Sequence, residues 1–167
     1  MLTGGIILLL LIVGRPVLWY CMRPDGSTME SREKMLDRIQ EGHHWTILTE
    51  RLVEDYLVTG AVSDHGEVSI AVFVPRGNGK YRLQTRTCRD RKDIVISGSI
   101  IDDTWYNFIW FQGAQTERVE VTYTVPNEAS ESTVYLTDNS TIICSPTHFK
   151  DYTLHVTYYD NAGNRYE

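Results

Sequence analysis

The stretch Asp102–Phe111, reading DDTWYNFIWF, constrains the fold more than any other part of the chain. Successive side chains of a strand point to opposite faces. Trp105, Asn107, Ile109 and Phe111 then share one face, and Tyr106, Phe108 and Trp110 take the other. Both faces are largely apolar, so this strand has to be central and covered on both sides, as in a sandwich.

The surrounding sequence supports that reading. Val68–Val74 alternates and ends in a turn through Pro75, Arg76, Gly77, Asn78 and Gly79, where Asn78–Gly79 is a strong hairpin signal. Further strands are expected over Tyr81–Cys88, Asp93–Ile101, Thr104–Phe111, Arg118–Val125, Thr133–Thr137, Thr141–Cys144 and Tyr152–Tyr159. Asp102–Asp103 reads as a hairpin turn, and Asp138–Asn139–Ser140 as the turn between the two Thr-rich strands. In Trp45–Ser63, Leu48, Leu52 and Tyr56 fit a helix, but Tyr56, Val58 and Thr59 are β-formers, and strands are expected there. The fold class is mainly β: an antiparallel sandwich-like or meander domain over residues 45–167.

Two segments precede it. Residues 23–44 read as a linker with a short polar helix from about Thr28 to Glu41. Ser27 and Glu30 have capping-box spacing, Met35, Leu36 and Ile39 form a narrow apolar stripe, and Gly42 is the expected stop. Such a helix is either a stalk or lies on the domain. Residues 1–22 contain the unbroken apolar run Ile6–Val13. A membrane span needs about 20 apolar residues. That length is reached by including Arg15 and Pro16 and continuing through Trp19 and Tyr20, which suit an interfacial belt. No small-x-small cleavage site and no small residue before Cys21 is present, so an uncleaved single-span anchor, a transmembrane helix, is expected over residues 1–22. Arg15 and Arg23 follow the run with no Lys or Arg before it, which taken literally leaves the bulk of the chain in the cytoplasm. An extracytoplasmic β-domain therefore carries the expectation of a basic leader ahead of Met1.

The chain has 167 residues, which fits one domain with appendages, and a net charge of −6. Interspersed charges of that sign argue against a nucleic-acid partner, which needs a concentrated basic face. The local basic cluster Arg86, Arg89, Arg91 and Lys92 reads as a solvated turn. No glycine-rich phosphate loop, GxSxG elbow or HExxH is present, so no catalytic residue, cofactor or metal is assigned and a non-enzymatic role is expected.

Five groups of residues bear on chemistry. Cys88 and Cys144 could pair outside the cytoplasm, against the alternative of separate buried thiols. Cys144 and His148 could form a nucleophile pair if a third group oriented the imidazole, the basis of an envelope-hydrolase alternative. Zinc would need Cys144, His148 and His155 to converge, while adjacent His43 and His44 on a strand point apart. Asp102 and Asp103 would splay on a turn rather than act as paired acids. Finally, Tyr106, Trp110, Tyr123 and Tyr158, with Tyr159, form a candidate aromatic surface for a polymer or protein, against the alternative that they are core.

Three stretches, IAVFVPRGNGKYRLQT (Ile70–Thr85), DTWYNFIWFQGAQTERVEVTYTV (Asp103–Val125) and KDYTLHVTYYDNAGNRYE (Lys150–Glu167), resemble a group of uncharacterised small membrane proteins of Gram-positive bacteria. The resemblance implies an N-terminal hydrophobic anchor and a β-rich outer domain. It implies no activity and no functional residues. The expectation is a single-pass protein of the cell membrane, its β-domain extracytoplasmic and binding a protein partner or a cell-envelope component. The alternatives are the Cys/His hydrolase and a structural accessory subunit of a membrane complex.

Overall fold

The computed structural model describes residues 24–90, 94–112, 116–126, 128–137 and 141–166. The expected anchor, residues 1–22, lies outside them. Among the described residues no helix is long and apolar enough to cross a membrane.

These residues are mainly β, with one helix, α1 (Met29–Asp37). The first strands are β1 (Trp45–Val53), β2 (Tyr56–Ser63), β3 (Val68–Gly77), β4 (Lys80–Arg89), β5 (Ile94–Ile101) and β6 (Thr104–Phe111). They are followed by β7 (Thr116–Thr124), β8 (Glu131–Leu136), β9 (Ile143–Thr147), β10 (Thr153–Asp160) and β11 (Arg165–Tyr166). Pairing is antiparallel throughout and gives three sheets: a first sheet β1-β2-β3-β4, a middle sheet β5-β6-β9 and a last sheet β11-β10-β7-β8.

The sheets stack, and β6 explains why. Phe108 and Trp110 enter one core with Val58, Val68, Ile70 and Val72 of the first sheet. Ile109 and Phe111 enter another with Val119 and Val121 of the last sheet. The doubly apolar strand is covered on both sides, as its sequence requires, by a three-layered version of the expected sandwich. The Asn78–Gly79 turn joins β3 to β4 with φ of 53° and 68°, the left-handed pair that a two-residue hairpin favours. Asp102 and Asp103, at 44° and 65°, close the β5–β6 hairpin in the same way.

Two expectations are corrected. Thr133–Thr137 and Thr141–Cys144 do not form a hairpin, because β8 pairs with β7 in the last sheet and β9 pairs with β6 in the middle one. The reason is burial. In β9, Ile143 enters the last-sheet core and Cys144 packs against the first-sheet core, so β9 needs cover on both faces. In β8 every residue but Tyr135 is exposed. The helix also starts differently. Thr28 is the N-cap and its hydroxyl accepts from the Ser31 amide at 3.1 Å, while the Ser27 hydroxyl donates to Asp25 at 2.7 Å.

α1 lies on the domain and is not a stalk. Leu36 is fully buried with Trp45, Ile47, Ala61 and Phe73 on the outer face of the first sheet, a burial that contributes about 1.5–3 kcal/mol. Arg32, one turn earlier, is also buried and forms a two-pronged ion pair with Glu50, both bonds at 2.8 Å. Glu33 accepts from the Ile47 amide and Asp37 from the Trp45 amide, at 2.9 and 2.8 Å. The helix carboxylates thereby satisfy donors of the edge strand β1.

Candidate binding groove

The chain enters the described region along β4. The Tyr81 amide donates to the Asp25 carbonyl at 3.0 Å. Gly26 sits at φ +73°, and a Cβ there would lie 2.5 Å from the Tyr81 carbonyl oxygen, so only glycine fits. Arg32 Nη1 donates to the Gly26 carbonyl at 2.7 Å, and the Gly26 amide donates to Ser31 Oγ at 2.9 Å. Lys80 lies 3.3 Å from the Asp25 carboxylate. Hydrogen bonds from Ser27, and then from Lys80, hold the Asp25 carboxyl down to about 2.

This pinned segment, the end of α1 and the β3–β4 hairpin enclose a groove of about 720 Å³. Met35, Tyr81 and Leu83 form its apolar floor and pack on the core beneath α1. Arg38, Arg76, Lys80 and Arg82 supply its charge, and Asp25 is the one acid lining it. Among the described residues, Arg38, Arg76 and Arg82 make no ion pair. Four cations line this groove against one carboxylate, in a chain of net charge −6, so its charge balance is the reverse of the chain's.

Gly26→Ala tests how the groove wall is held. A left-handed alanine costs about 1–2 kcal/mol before any clash, and the clashing atom belongs to the backbone. Exchange of the Tyr81 amide is expected to accelerate roughly tenfold or more, with β6 amides unchanged. Unaltered Tyr81 protection would mean that the segment is not pinned as described.

The residues singled out in sequence lie elsewhere. Cys88 and Cys144 are both free, so of the two alternatives the structure has separate thiols and not the bridge. Cys88 belongs to the core beneath α1, Cys144 faces the core between the first and middle sheets, and the first sheet separates them. Burial raises both thiols, that of Cys144 to about 11. The Cys144 thiol donates to the Ile142 carbonyl at 3.8 Å, while the His148 ring lies against Phe149 at 4.2 Å. No metal-binding group of three His, Cys, Asp or Glu occurs among the described residues. Asp102 and Asp103 are exposed on their turn.

The candidate aromatic surface is also corrected. Trp110 is 2% exposed and Tyr123 4%. Trp110 faces the first sheet, and Tyr123 and Tyr158 belong to the core on the other side. Tyr106 stacks with Phe108, and Tyr158 lies against Phe111. Strand alternation assigns these rings to two cores, so they share no platform. Tyr159, near its sheet's outer face, carries the Arg118 guanidinium at 4.0 Å.

A polar cluster closes the end of α1. Glu67 lies 3.2 Å from His43 Nε2 and accepts from Ser63 Oγ at 3.2 Å and from the Gln40 amide. The carboxylate occupies the middle of this chain of contacts, whereas nucleophile activation needs the imidazole there. Arg86, read in sequence as part of a solvated turn, lies over the Trp45 ring at 4.2 Å and donates to Gln40. Arg91 and Lys92 lie outside the described residues.

Sequence reading missed the groove because its cations come from the C-cap of α1 and from both arms of a hairpin. The available signal was the run Arg76, Lys80 and Arg82 around Asn78–Gly79, which taken alone reads as a charged hairpin tip. No family model matches the chain, and no curated protein or solved structure matches it.

Proposed function

We propose that the chain is a non-enzymatic binding module, held on the cell membrane by residues 1–22, with its β-domain outside the cytoplasm and its groove recognising an anionic component of the envelope. The observation that carries this reading is the groove itself: it gathers four cations over an apolar floor, three of them unpaired among the described residues, and Pro24 at its wall lies two residues after the apolar segment. The resemblance to small anchored proteins of Gram-positive bacteria agrees with it. The hydrolase alternative gains no support from Cys144, whose thiol is raised by burial and bonded away from His148.

A second reading, an accessory subunit contacting a protein partner, is favoured by β8. This edge strand of the last sheet leaves Val134 55% and Leu136 81% exposed.

The anchor and the location are tested together. The full chain is expected to stay with membranes after alkaline carbonate extraction, and a variant lacking residues 1–22 to leave them. Protease added to wall-stripped intact cells is expected to digest the β-domain. Recovery of the full chain in the carbonate supernatant would refute the anchor; protection from protease until lysis would refute the outer location.

A further inference from the structure

We infer that the groove takes the anionic headgroup of a phospholipid from the membrane that holds residues 1–22, so that the β-domain lies against that surface. This rests on the anchor proposed above and names the ligand of the same groove.

Distance is the first argument. Two residue steps separate Met22 from Pro24, a reach of at most about 7 Å. That is within a Debye length of about 8 Å and less than the roughly 10 Å diameter of a single helix. A folded partner has no room between the end of the segment and the groove wall, whereas a headgroup does.

Rigidity is the second. The Tyr81–Asp25 and Arg32–Gly26 hydrogen bonds and the fit of Gly26 against β4 fix Asp25 and Gly26 to the groove wall. The short tether to the proposed anchor therefore starts at the groove itself.

Chemistry is the third. Arg38, Arg76 and Arg82 are exposed and have no acid partner among the described residues. Guanidinium groups match phosphate geometry with paired N–H donors. Met35 and Leu83 on the floor, with Ile39 55% exposed beside them, provide apolar contact for the glycerol end of a lipid. A purely hydrophilic polyanion would leave that floor unused.

The test uses the full chain in nanodiscs of mixed phosphatidylcholine and phosphatidylglycerol, with the lipids retained after release counted by native mass spectrometry. Wild type is expected to retain phosphatidylglycerol preferentially. Arg38→Gln, Arg76→Gln and Arg82→Gln together are expected to lower that preference on the order of 100-fold, from the contribution of each basic residue near an anionic surface. Among the described residues the three side chains make no ion pair, so an unchanged melting curve accompanies the loss. Equal retention of the two lipids overturns the headgroup assignment and leaves the anchor standing. Wild-type retention in the triple variant overturns the groove as its site. Displacement of the lipid by glycerol 3-phosphate at equal concentration reassigns the groove to a soluble phosphate. A chain that never enters the discs overturns the anchor and this inference together.

Discussion

Trp110→Ala is expected to lower the stability of the β-domain by about 3–5 kcal/mol, the range for deleting a large buried aromatic side chain. Trp110 is 2% exposed, in the core shared by the first and middle sheets. Its indole nitrogen is buried with no hydrogen-bond partner among the described residues, so the expected loss is one of packing. The ring lies on Gly60 of β2, where a Cβ would come 2.6 Å from Trp110 Cδ2 and 2.9 Å from Thr49 Cγ2. Gly60→Ala is therefore expected to destabilise by about 1–3 kcal/mol through overpacking, and its cost should shrink in a Trp110→Ala background, where the clash with the indole has gone and only that with Thr49 remains. Urea unfolding followed by circular dichroism measures both changes and their coupling. Trp105→Ala is the control: Trp105 is 39% exposed at the strand's start, so it should cost clearly less. A Trp110→Ala loss below about 1 kcal/mol would mean that the first and middle sheets do not close over β6 as described.

The same strand explains what was legible in advance. Within Thr104–Phe111 every relevant neighbour follows from period-two alternation, so two-sided burial could be read from residue order. Asn78–Gly79 was equally local, because the turn needs two left-handed residues and the sequence offers a pair that tolerates them. The choice of strand partner was not local. β8 and β9 are adjacent in sequence and look alike as short Thr-containing strands, yet they join different sheets. What separates them is whether both faces or one are apolar, and Cys144 and Ser145 obscure that in a five-residue strand. Arg32 was hidden for a related reason: a charged residue on a polar helix reads as solvated, and its burial depends on Glu50 arriving from β1. The groove was hidden because its four cations are spread over Arg38 to Arg82 and acquire meaning only when α1 lies against the hairpin.

Asn107→Leu is expected to cost up to about 3 kcal/mol, the upper end for leaving a buried polar group without its partner. Asn107 is the one polar side chain on its face of the central β6 segment and is 5% exposed. Its amide nitrogen donates to the Tyr123 hydroxyl at 3.2 Å and to the Tyr152 hydroxyl at 3.0 Å, and its carbonyl oxygen accepts from Tyr152 at 3.1 Å. The network continues through Ser145, which accepts from Tyr123 at 2.8 Å and from Tyr135 at 3.0 Å. Five side chains, four from the two sheets and Tyr152 just ahead of β10, thus satisfy one another inside an otherwise apolar interface. Leucine keeps the branching of asparagine and is larger, so the substitution removes the hydrogen bonds without opening a cavity. Tyr123 keeps Ser145 as a partner, whereas Tyr152 loses both contacts with Asn107. The cost should therefore sit on Tyr152, and Asn107→Leu combined with Tyr152→Phe should recover part of it, because replacing both partners by apolar groups leaves nothing unsatisfied. Strictly additive losses in the double variant would show that Asn107 and Tyr152 are not coupled. Recovery, with an unchanged denaturant slope, would show that the network's energetic weight lies in mutual satisfaction and that the stacking of the middle and last sheets survives on its apolar contacts.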